Sequence, residues 1–260
     1  MTINQEKIVN NNYFSKIKIN FNKDLIINYL IKNKISYVDS LPNKFLLIIF
    51  EENELYSNLL SKKNNYYKYL LNSENKIFSK FFLIPNLDFN DRFLLGDFHY
   101  KKNLITHIKK LNNKYKTNYQ ILIHSKKNNN FYDIEIFLID KMNKYLVDKK
   151  KLNKFQYNDI FVSAYYNSFD KWKELNKINT KFTNSLLCKI NIGNIHELKF
   201  VTNLLKSNRI IKNFELTSII LNENTYNIIF FGNIDVFRKS LKKVRLNLFI
   251  NNNESKIKLI

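Results

Sequence analysis

The phrase IGNIHELKF (residues 192–200) returns in altered form as FGNIDVFRK (residues 231–239). In both copies Gly-Asn-Ile separates a strand-like run from a helix-like run. Only three glycines occur in the 260 residues, and two of them, Gly193 and Gly232, stand in these copies. The repeat therefore predicts two equivalent strand-to-helix corners, where each glycine adopts a backbone conformation that a side chain would hinder.

The elements around the two copies follow a regular order. Asn194 and Asn233 are of a residue type that caps helix N-termini, and Glu197 stands at capping-box spacing from Asn194. The flanking runs read as strands: LLCKINI, NFELTSIIL, TYNIIFF and RLNLFI, with KIKLI as an added strand. The order β-α-β-β-α-β predicts a ferredoxin-like domain at residues 181–260, made of two β-α-β halves.

A glycine in front of a helix can also serve as a phosphate-binding turn. Neither the dinucleotide fingerprint G-x-G-x-x-G nor the phosphate loop G-x-x-x-x-G-K-[ST] is present in the sequence. We therefore interpret both glycine corners as structural joints and predict no bound cofactor.

The first half of the chain predicts an α/β sandwich. Ile17, Ile19 and Phe21 alternate with Lys and Asn, as in a half-buried strand, and an apolar stripe predicts a helix at residues 23–33. The run FLLIIF (45–50) is apolar throughout, as in a central strand covered on both faces. The other predicted elements are strands at ISYV and FFLIP, a helix at residues 103–115, and a hairpin of YQILIHS with YDIEIFLID.

These elements predict an α/β (α+β) protein of four segments. Residues 1–12 are expected to be a disordered N-terminus, and residues 13–150 an α/β sandwich domain. Residues 151–180 are expected to form a linking helix, and residues 181–260 the ferredoxin-like domain.

The chain is strongly basic, since 43 Lys and Arg against 22 Asp and Glu give a net charge of +21. Such a surplus is typical of proteins with polyanionic partners. Only four of these residues are arginine, the side chain that recognises phosphates and base edges with a planar fork. Lysine accompanies abundant Asn, Ile, Phe and Tyr, a composition typical of proteins from very AT-rich genomes. This composition explains much of the lysine surplus without any ligand. Weak, salt-sensitive attraction to nucleic acid is still expected.

Four acidic or histidine residues have a spacing that could serve catalysis or metal binding. Asp97 and His99 stand two residues apart, as two ligands on one strand would, but no third ligand lies near them in the sequence. Asp133 and Glu135 alternate like paired acid and base carboxylates, yet their apolar neighbours predict that both lie on the solvent face of a hairpin.

The remaining histidines and the single cysteine indicate no catalytic constellation. His196 opens no H-E-x-x-H motif, because Phe200 stands where the second histidine belongs. His107 and His124 have no partner that the sequence identifies. Cys188 lies within a strand, which predicts a small buried residue and excludes an internal disulfide. We predict no catalytic residue and no metal site.

The order β-α-β-β-α-β is also that of the RNA-recognition fold, in which aromatic side chains of the central strands stack on bases. The third strand offers Tyr226, Phe230 and Phe231, but the first strand has no aromatic residue. The Lys/Arg-Gly-aromatic core of the longer RNA motif is absent from the sequence as well. We therefore interpret these aromatic residues as core packing.

The stretch YFSKIKINFNKDLIINYLIKNKISYVDS (13–40) resembles the opening of an uncharacterised proteobacterial envelope protein family of alphaproteobacterial type, domain of unknown function 2066. The shared pattern is an aromatic residue, an alternating strand ending in Phe, a helix and a short I-x-Y strand. Later stretches are similar to the same family: FFLIPNLDFND with LLGD, DKWKELNKIN, INIGNIHELKFVTNLLKSNRIIKNFELTSI, TYNIIFFGNIDVFRKSL and LNLF. The resemblance runs from Tyr13 to the C-terminus and contains no catalytic motif.

The resemblance implies an exported envelope protein without an established activity. Its members usually begin with a signal peptide and a further helical segment, and neither precedes Tyr13. We expect a truncated chain, a misassigned start, or a protein that has become cytosolic. The longest apolar run, FLLIIF, is far too short to span a bilayer.

These observations predict a non-catalytic protein-interaction or structural component of the bacterial cell envelope, with protein partners. The resemblance implies a periplasmic or envelope location. We expect a cytoplasmic location if no signal peptide precedes the chain. The alternative is a basic RNA- or ribosome-associated protein of an AT-rich bacterium or organelle. The third hypothesis is that the protein is an enzyme.

Overall fold

The computed structural model describes residues 2–10, 12–52, 57–59, 62–95, 104–128, 130–140, 143–154, 156–220, 223–251 and 254–260. The chain divides into two compact units. The terminal unit combines Met1–Asp39 with Lys177–Ile260, and the central unit is Ser40–Asn176.

The described part of the chain contains thirteen strands and seven α-helices. The strands are β1 (Thr2–Val9), β2 (Asn12–Lys18), β3 (Phe45–Glu52), β4 (Ser57–Leu59), β5 (Phe82–Leu83), β6 (Gln120–Asn128), β7 (Phe131–Ile139), β8 (Lys144–Leu152), β9 (Thr183–Asn191), β10 (Ile211–Ile220), β11 (Glu223–Phe231), β12 (Leu246–Asn251) and β13 (Glu254–Leu259). The helices are α1 (Lys23–Lys32), α2 (Asn65–Leu71), α3 (Phe89–Leu95), α4 (Leu104–Tyr115), α5 (Tyr157–Asn176), α6 (Ile195–Ser207) and α7 (Ile234–Lys243).

The main sheet of the terminal unit has five strands in the order β10-β11-β9-β13-β12. Along the chain, β9-α6-β10-β11-α7-β12 follows the predicted β-α-β-β-α-β, and the mixed α/β class is confirmed. In a ferredoxin-like sheet the fourth strand lies beside the first. Here β13 lies between β12 and β9 and runs parallel to β9, so the added strand makes the sheet mixed.

The core of the terminal unit joins one face of the sheet to three helices. Alternate residues of β9 and β11 are buried with side chains of α6 and α7: Cys188, Ile190, Ile228, Phe230, Val201, Leu205, Phe237 and Leu241. Ile31 of α1 and Tyr37 pack against the same core. The first helix of the chain, α1, therefore packs against the core that the C-terminal sheet forms.

This division of the chain differs from the predicted segments. The backbone N–H of Tyr37 donates to the Ile178 carbonyl (3.2 Å), and the N–H of Ile178 donates back (2.8 Å). This bridge and the core contacts of Ile31 and Tyr37 join residues 1–39 to the C-terminal region, whereas the prediction joined residues 13–39 to the sandwich at residues 13–150. The strand predicted at ISYV is wrong, since only Tyr37 pairs there.

The central unit is built around a mixed sheet in the order β4-β3-β6-β7-β8, with β5 also paired to β3. The predicted hairpin is confirmed as β6 and β7, and β3 is buried from Phe45 to Phe50. The predicted linking helix, 151–180, appears as α5 and packs within this unit. The ring of its Phe161 lies 6.0 Å from Tyr66 and 5.4 Å from Phe78, so α5 is a core helix.

The two glycine corners share their helix caps. The Asn194 side chain accepts from the N–H of Glu197 and the Asn233 side chain from that of Val236, both at 2.9 Å, as predicted. The Glu197 carboxylate reaches back to the N–H of Gly193 at 2.8 Å. Their backbones differ, because φ is +82° at Gly232 and not positive at Gly193. The predicted conformational need for glycine is therefore wrong at Gly193.

This difference predicts opposite tolerance of alanine at the two corners. Gly232→Ala places a side chain in the left-handed region, where it costs about 1–2 kcal/mol of unfolding free energy. Gly193→Ala meets only the Glu197 carboxylate, at 3.4 Å, and is expected to change stability by about 0.5 kcal/mol or less. Urea unfolding of both variants measures the contrast. Equal losses would show that the two corners are conformationally equivalent.

Candidate functional site

The N-terminal part of the terminal unit exposes an unusual number of apolar side chains. We call this set the N-terminal apolar segment: Ile8, Val9, Tyr13, Phe14, Ile17, Ile19, Phe21, Leu25, Ile26 and Tyr29. Its four aromatic residues are 57–76% exposed and together present roughly 500 Å², at about 150–250 Å² per aromatic side chain. This area is spread over more than one face, because Tyr13 and Phe14 are neighbours in β2. The concentration of exposed apolar side chains within residues 8–29 makes the segment a candidate interaction surface.

Strands β1 and β2 form a two-stranded hairpin in which every described side chain of β2 is exposed. Ile8 pairs with Tyr13 in the register, so the two lie side by side, and Phe14 lies on the opposite face. The half-buried strand predicted from Ile17, Ile19 and Phe21 is wrong, since all three are exposed. A two-stranded hairpin is marginally stable in water without a packing surface.

Helix α1 carries apolar residues on two sides, of which the protein covers one. Asn22 caps the helix by accepting from the N–H groups of Asp24 (2.9 Å) and Leu25 (3.2 Å). Ile27 is buried, whereas Leu25 and Tyr29 are 67% and 61% exposed. The exposed apolar side chains of the hairpin are therefore followed in the sequence by those on the outer side of α1.

Two carboxylates of this region form ion pairs with basic side chains of the terminal unit. Asp24 pairs with Arg209. Asp39 lies 2.8 Å from Lys243 and 3.4 Å from Lys23. Burial opposes ionisation of Asp39, but these two ammonium groups hold the pKa of its carboxyl below the usual value.

The remaining acid of this region is Glu6, which lies on the hairpin itself, in β1. It accepts a hydrogen bond from Tyr13, which raises the pKa of that phenol. Among the described residues, no carboxylate lies within ion-pair distance of Lys16 or Lys18. The exposed apolar segment therefore lies in a basic surrounding.

Strand β10 provides a second exposed feature, at the edge of the five-stranded sheet. Among the described strands it pairs with β11 alone. Its C-terminal half is exposed, and Leu216, Ile219 and Ile220 are 47%, 72% and 61% exposed. A register shift between Leu216 and Ser218 bends the edge, after which pairing resumes to Ile220. Such an edge can accept a further strand.

The carboxylates predicted on the β6–β7 hairpin lie in a polar ladder of the central sheet. Glu135 is partly exposed and lies 2.9 Å from Lys149, and Ile134 and Ile136 beside it are buried, as predicted. Asp133 is also partly exposed. Asp133 accepts a hydrogen bond from the Asn128 side chain at 2.5 Å, so the two carboxylates have separate partners within the sheet.

His124 has partners that the sequence did not identify. Its Nε2 lies 3.4 Å from Glu52, its Nδ1 lies 3.9 Å from Glu135, and Phe50 stacks on its ring at 5.2 Å. Burial lowers the pKa of His124, and the two glutamates oppose that shift. The glutamates approach different ring nitrogens, so this trio does not converge on one metal ion.

Among the residues that the structure describes, no group of three or more His, Cys, Asp or Glu side chains could hold a metal. Asp97 and His99 lie outside the described residues. Cys188 is buried as predicted, and burial raises the pKa of its thiol to about 12. A thiol with that pKa stays protonated near neutral pH and is a poor nucleophile. His196 is exposed on α6.

The aromatic residues of β11 are packed in the core, as predicted. Tyr226 and Phe230 are 4% and 2% exposed, and the Phe230 ring stacks on Phe237 of α7 at 4.0 Å between centroids. Phe231 is 8% exposed. Base stacking requires exposed rings, so β11 does not provide the platform of an RNA-recognition fold.

The comparisons with known proteins are sparse. No family model and no curated protein matches the chain. One solved structure is similar: the LpoB C-terminal domain from Salmonella enterica, with a TM-score of 0.29 and 10% sequence identity. The match covers 52% of this chain and 96% of that one. Across the described residues, no helix combines the length and apolar character that crossing a membrane requires.

Proposed function

We propose that this chain is a non-catalytic protein-interaction and structural component of the bacterial cell envelope. The observation that carries the proposal is the exposed edge of β10, which ends in Leu216, Ile219 and Ile220. The envelope location rests on the family resemblance of the sequence.

The edge of β10 has the properties of a strand-pairing site. Soluble proteins usually blunt such edges with proline, with inward-pointing charges, with β-bulges or with a covering segment. β10 has a register shift between Leu216 and Ser218, but beyond it the strand contains neither proline nor charge, and Ile219 and Ile220 face solvent. An extended segment of a protein partner would gain backbone hydrogen bonds along the edge and apolar contacts with Ile219 and Ile220.

The competing proposal, RNA or ribosome association, rests on the net charge. Lysine-driven binding of this kind weakens steeply with salt, because it releases counterions from the phosphates. RNA binding titrated against salt separates the two proposals, since a dedicated RNA protein keeps tight binding at about 0.15 M salt.

A photo-crosslinking experiment tests the strand-pairing site. A photoreactive amino acid at Ile219 is expected to give discrete protein adducts in the bacterium from which the sequence comes. Ile220→Lys, which adds a charge to the edge, is expected to lower their yield about tenfold, because the charge would be desolvated in the pair. Adducts should remain in preparations treated with nuclease.

The control position is Phe182, which is 69% exposed and lies outside the sheet. The same photoreactive residue there is expected to give no discrete adduct. Identical adducts at Ile219 and Phe182, or adducts at Ile219 that Ile220→Lys leaves unchanged, would contradict a protein partner at the β10 edge.

A further inference from the structure

We propose that the N-terminal apolar segment docks on an anionic lipid surface, with its lysines beside the lipid phosphates. This inference concerns a different surface from the β10 edge and does not depend on the proposed function. Its basis is the combination of exposed aromatic side chains, an uncovered hairpin and uncompensated lysines in one part of the chain.

The apolar residues of this segment are spread in a way that a lipid interface accommodates. Tyr13 and Phe14 point to opposite faces of the hairpin, and Phe21 and Tyr29 extend the set beyond it. They form no groove or single flat face. A protein partner would need a binding site that contacts both faces of the hairpin. Lipid headgroups and acyl chains can rearrange to contact both faces at once. Tyrosine, with an apolar ring and a polar tip, is suited to this interfacial depth.

The charges of the segment favour an acidic surface. Asp24 and Asp39 form ion pairs inside the terminal unit. Glu6 of β1, which accepts a hydrogen bond from Tyr13, is the remaining acid, and the two lysines of β2 outnumber it. Lys16 and Lys18 lie on the hairpin and are exposed. No described carboxylate forms an ion pair with either of them. Each lysine near an anionic membrane adds attraction that falls off within a Debye length. A second copy of the chain would bring these lysines against one another and add to the net charge of +21, which disfavours self-association here.

The backbone limits the depth of insertion. A two-stranded hairpin has two unpaired edges, and such edges cannot enter the hydrocarbon without losing their hydrogen bonds. The turn carries polar Asn10, and Asn12 begins β2. We therefore place the hairpin along the headgroup region, roughly 5–10 Å into the boundary, where its edges and amides can bond to headgroups and water.

A fluorescence experiment tests insertion apart from simple adsorption. Tyr13→Trp is titrated with vesicles of phosphatidylcholine alone and of phosphatidylcholine mixed with phosphatidylglycerol. We expect its emission to shift to shorter wavelength only with the anionic vesicles, because the indole enters a less polar environment. The native Trp172 is 4% exposed and supplies a background that the unsubstituted protein measures. The matched control is Tyr166→Trp on α5, an equally exposed tyrosine, which should show no shift.

A binding experiment separates specific lysines from bulk charge. Lys16→Gln with Lys18→Gln is expected to weaken binding to the anionic vesicles by about fivefold per lysine. Lys199→Gln with Lys206→Gln, on exposed positions of α6, lowers the net charge equally and is expected to have a much smaller effect. Ile17→Ser with Phe21→Ser is expected to weaken binding tenfold or more through lost apolar burial.

Three results would overturn the proposal. The first is an unshifted emission of Tyr13→Trp on anionic vesicles, which would leave the segment to a protein partner. The second is an equal loss for both lysine pairs, which would show adsorption by overall charge. The third is unchanged binding of the Ile17→Ser, Phe21→Ser variant, provided its circular dichroism matches that of the parent protein.

Discussion

Phe237→Ala is expected to cost the terminal unit about 3–5 kcal/mol of unfolding free energy. Phe237 is completely buried on α7, and its ring stacks on Phe230 of β11 at 4.0 Å with a 10° angle between planes. Truncation removes the burial of a whole aromatic ring and opens a cavity between helix and sheet. Since Leu241 on the same helix is also fully buried, little freedom remains for α7 to move inward.

Hydrogen exchange of the β9 and β11 amides measures this loss, because exchange reports the free energy of opening within one unit. Denaturant unfolding of the whole chain is a less direct measure, since two units need not unfold together. Phe182→Ala is the control, as Phe182 is 69% exposed and its truncation should leave protection unchanged. A loss below about 1 kcal/mol at Phe237 would show that its ring does not hold α7 on the sheet.

The sequence predicted the C-terminal elements well because their signals are local. Asn194 and Asn233 cap helices by bonding to backbone groups three residues away, and such bonds need nothing distant. Burial alternates along β11, since one face of that strand packs on α7 and the residues of the other face are partly exposed. The insertion of β13 between β9 and β12 could not be predicted, because strand order depends on contacts distant in sequence.

The N-terminal segment shows where the same reasoning fails. The alternation of Ile17, Ile19 and Phe21 predicts a half-buried strand, yet β2 ends at Lys18 and all three side chains are exposed. Alternation cannot say whether a surface is available to bury against. Thr2–Val9 lacks that alternation, so β1 was predicted as a disordered N-terminus, and only pairing with β2 reveals it. The exposure of apolar side chains whose spacing is typical of burial is the observation on which the proposed lipid surface rests.

Asp91→Ala is expected to cost the central unit about 3 kcal/mol, because it removes a fully buried carboxylate that holds several donors. Asp91 accepts from the N–H of Leu87 at 2.9 Å, from the Tyr115 hydroxyl at 2.7 Å and from the Lys114 ammonium at 2.6 Å. It thereby fastens α3 to α4 and fixes Leu87, whose φ is +58°. Without the carboxylate, Leu87 keeps its strained backbone and loses the acceptor for its buried N–H.

Asp170→Ala on α5 provides a matched control, because Asp170 also lies 2.6 Å from a lysine, Lys173, but is 67% exposed. An exposed pair contributes about 0–1 kcal/mol, so this variant should resemble the parent protein. Denaturant unfolding followed by Trp172, which lies in the central unit, measures both variants. Equal stability of the two variants would mean that burial adds nothing to the Asp91 contacts. A large loss at Asp91 alone would confirm that the same ion-pair distance has different consequences in the core and in solvent, since a buried donor such as the Leu87 N–H has no water to replace the lost carboxylate.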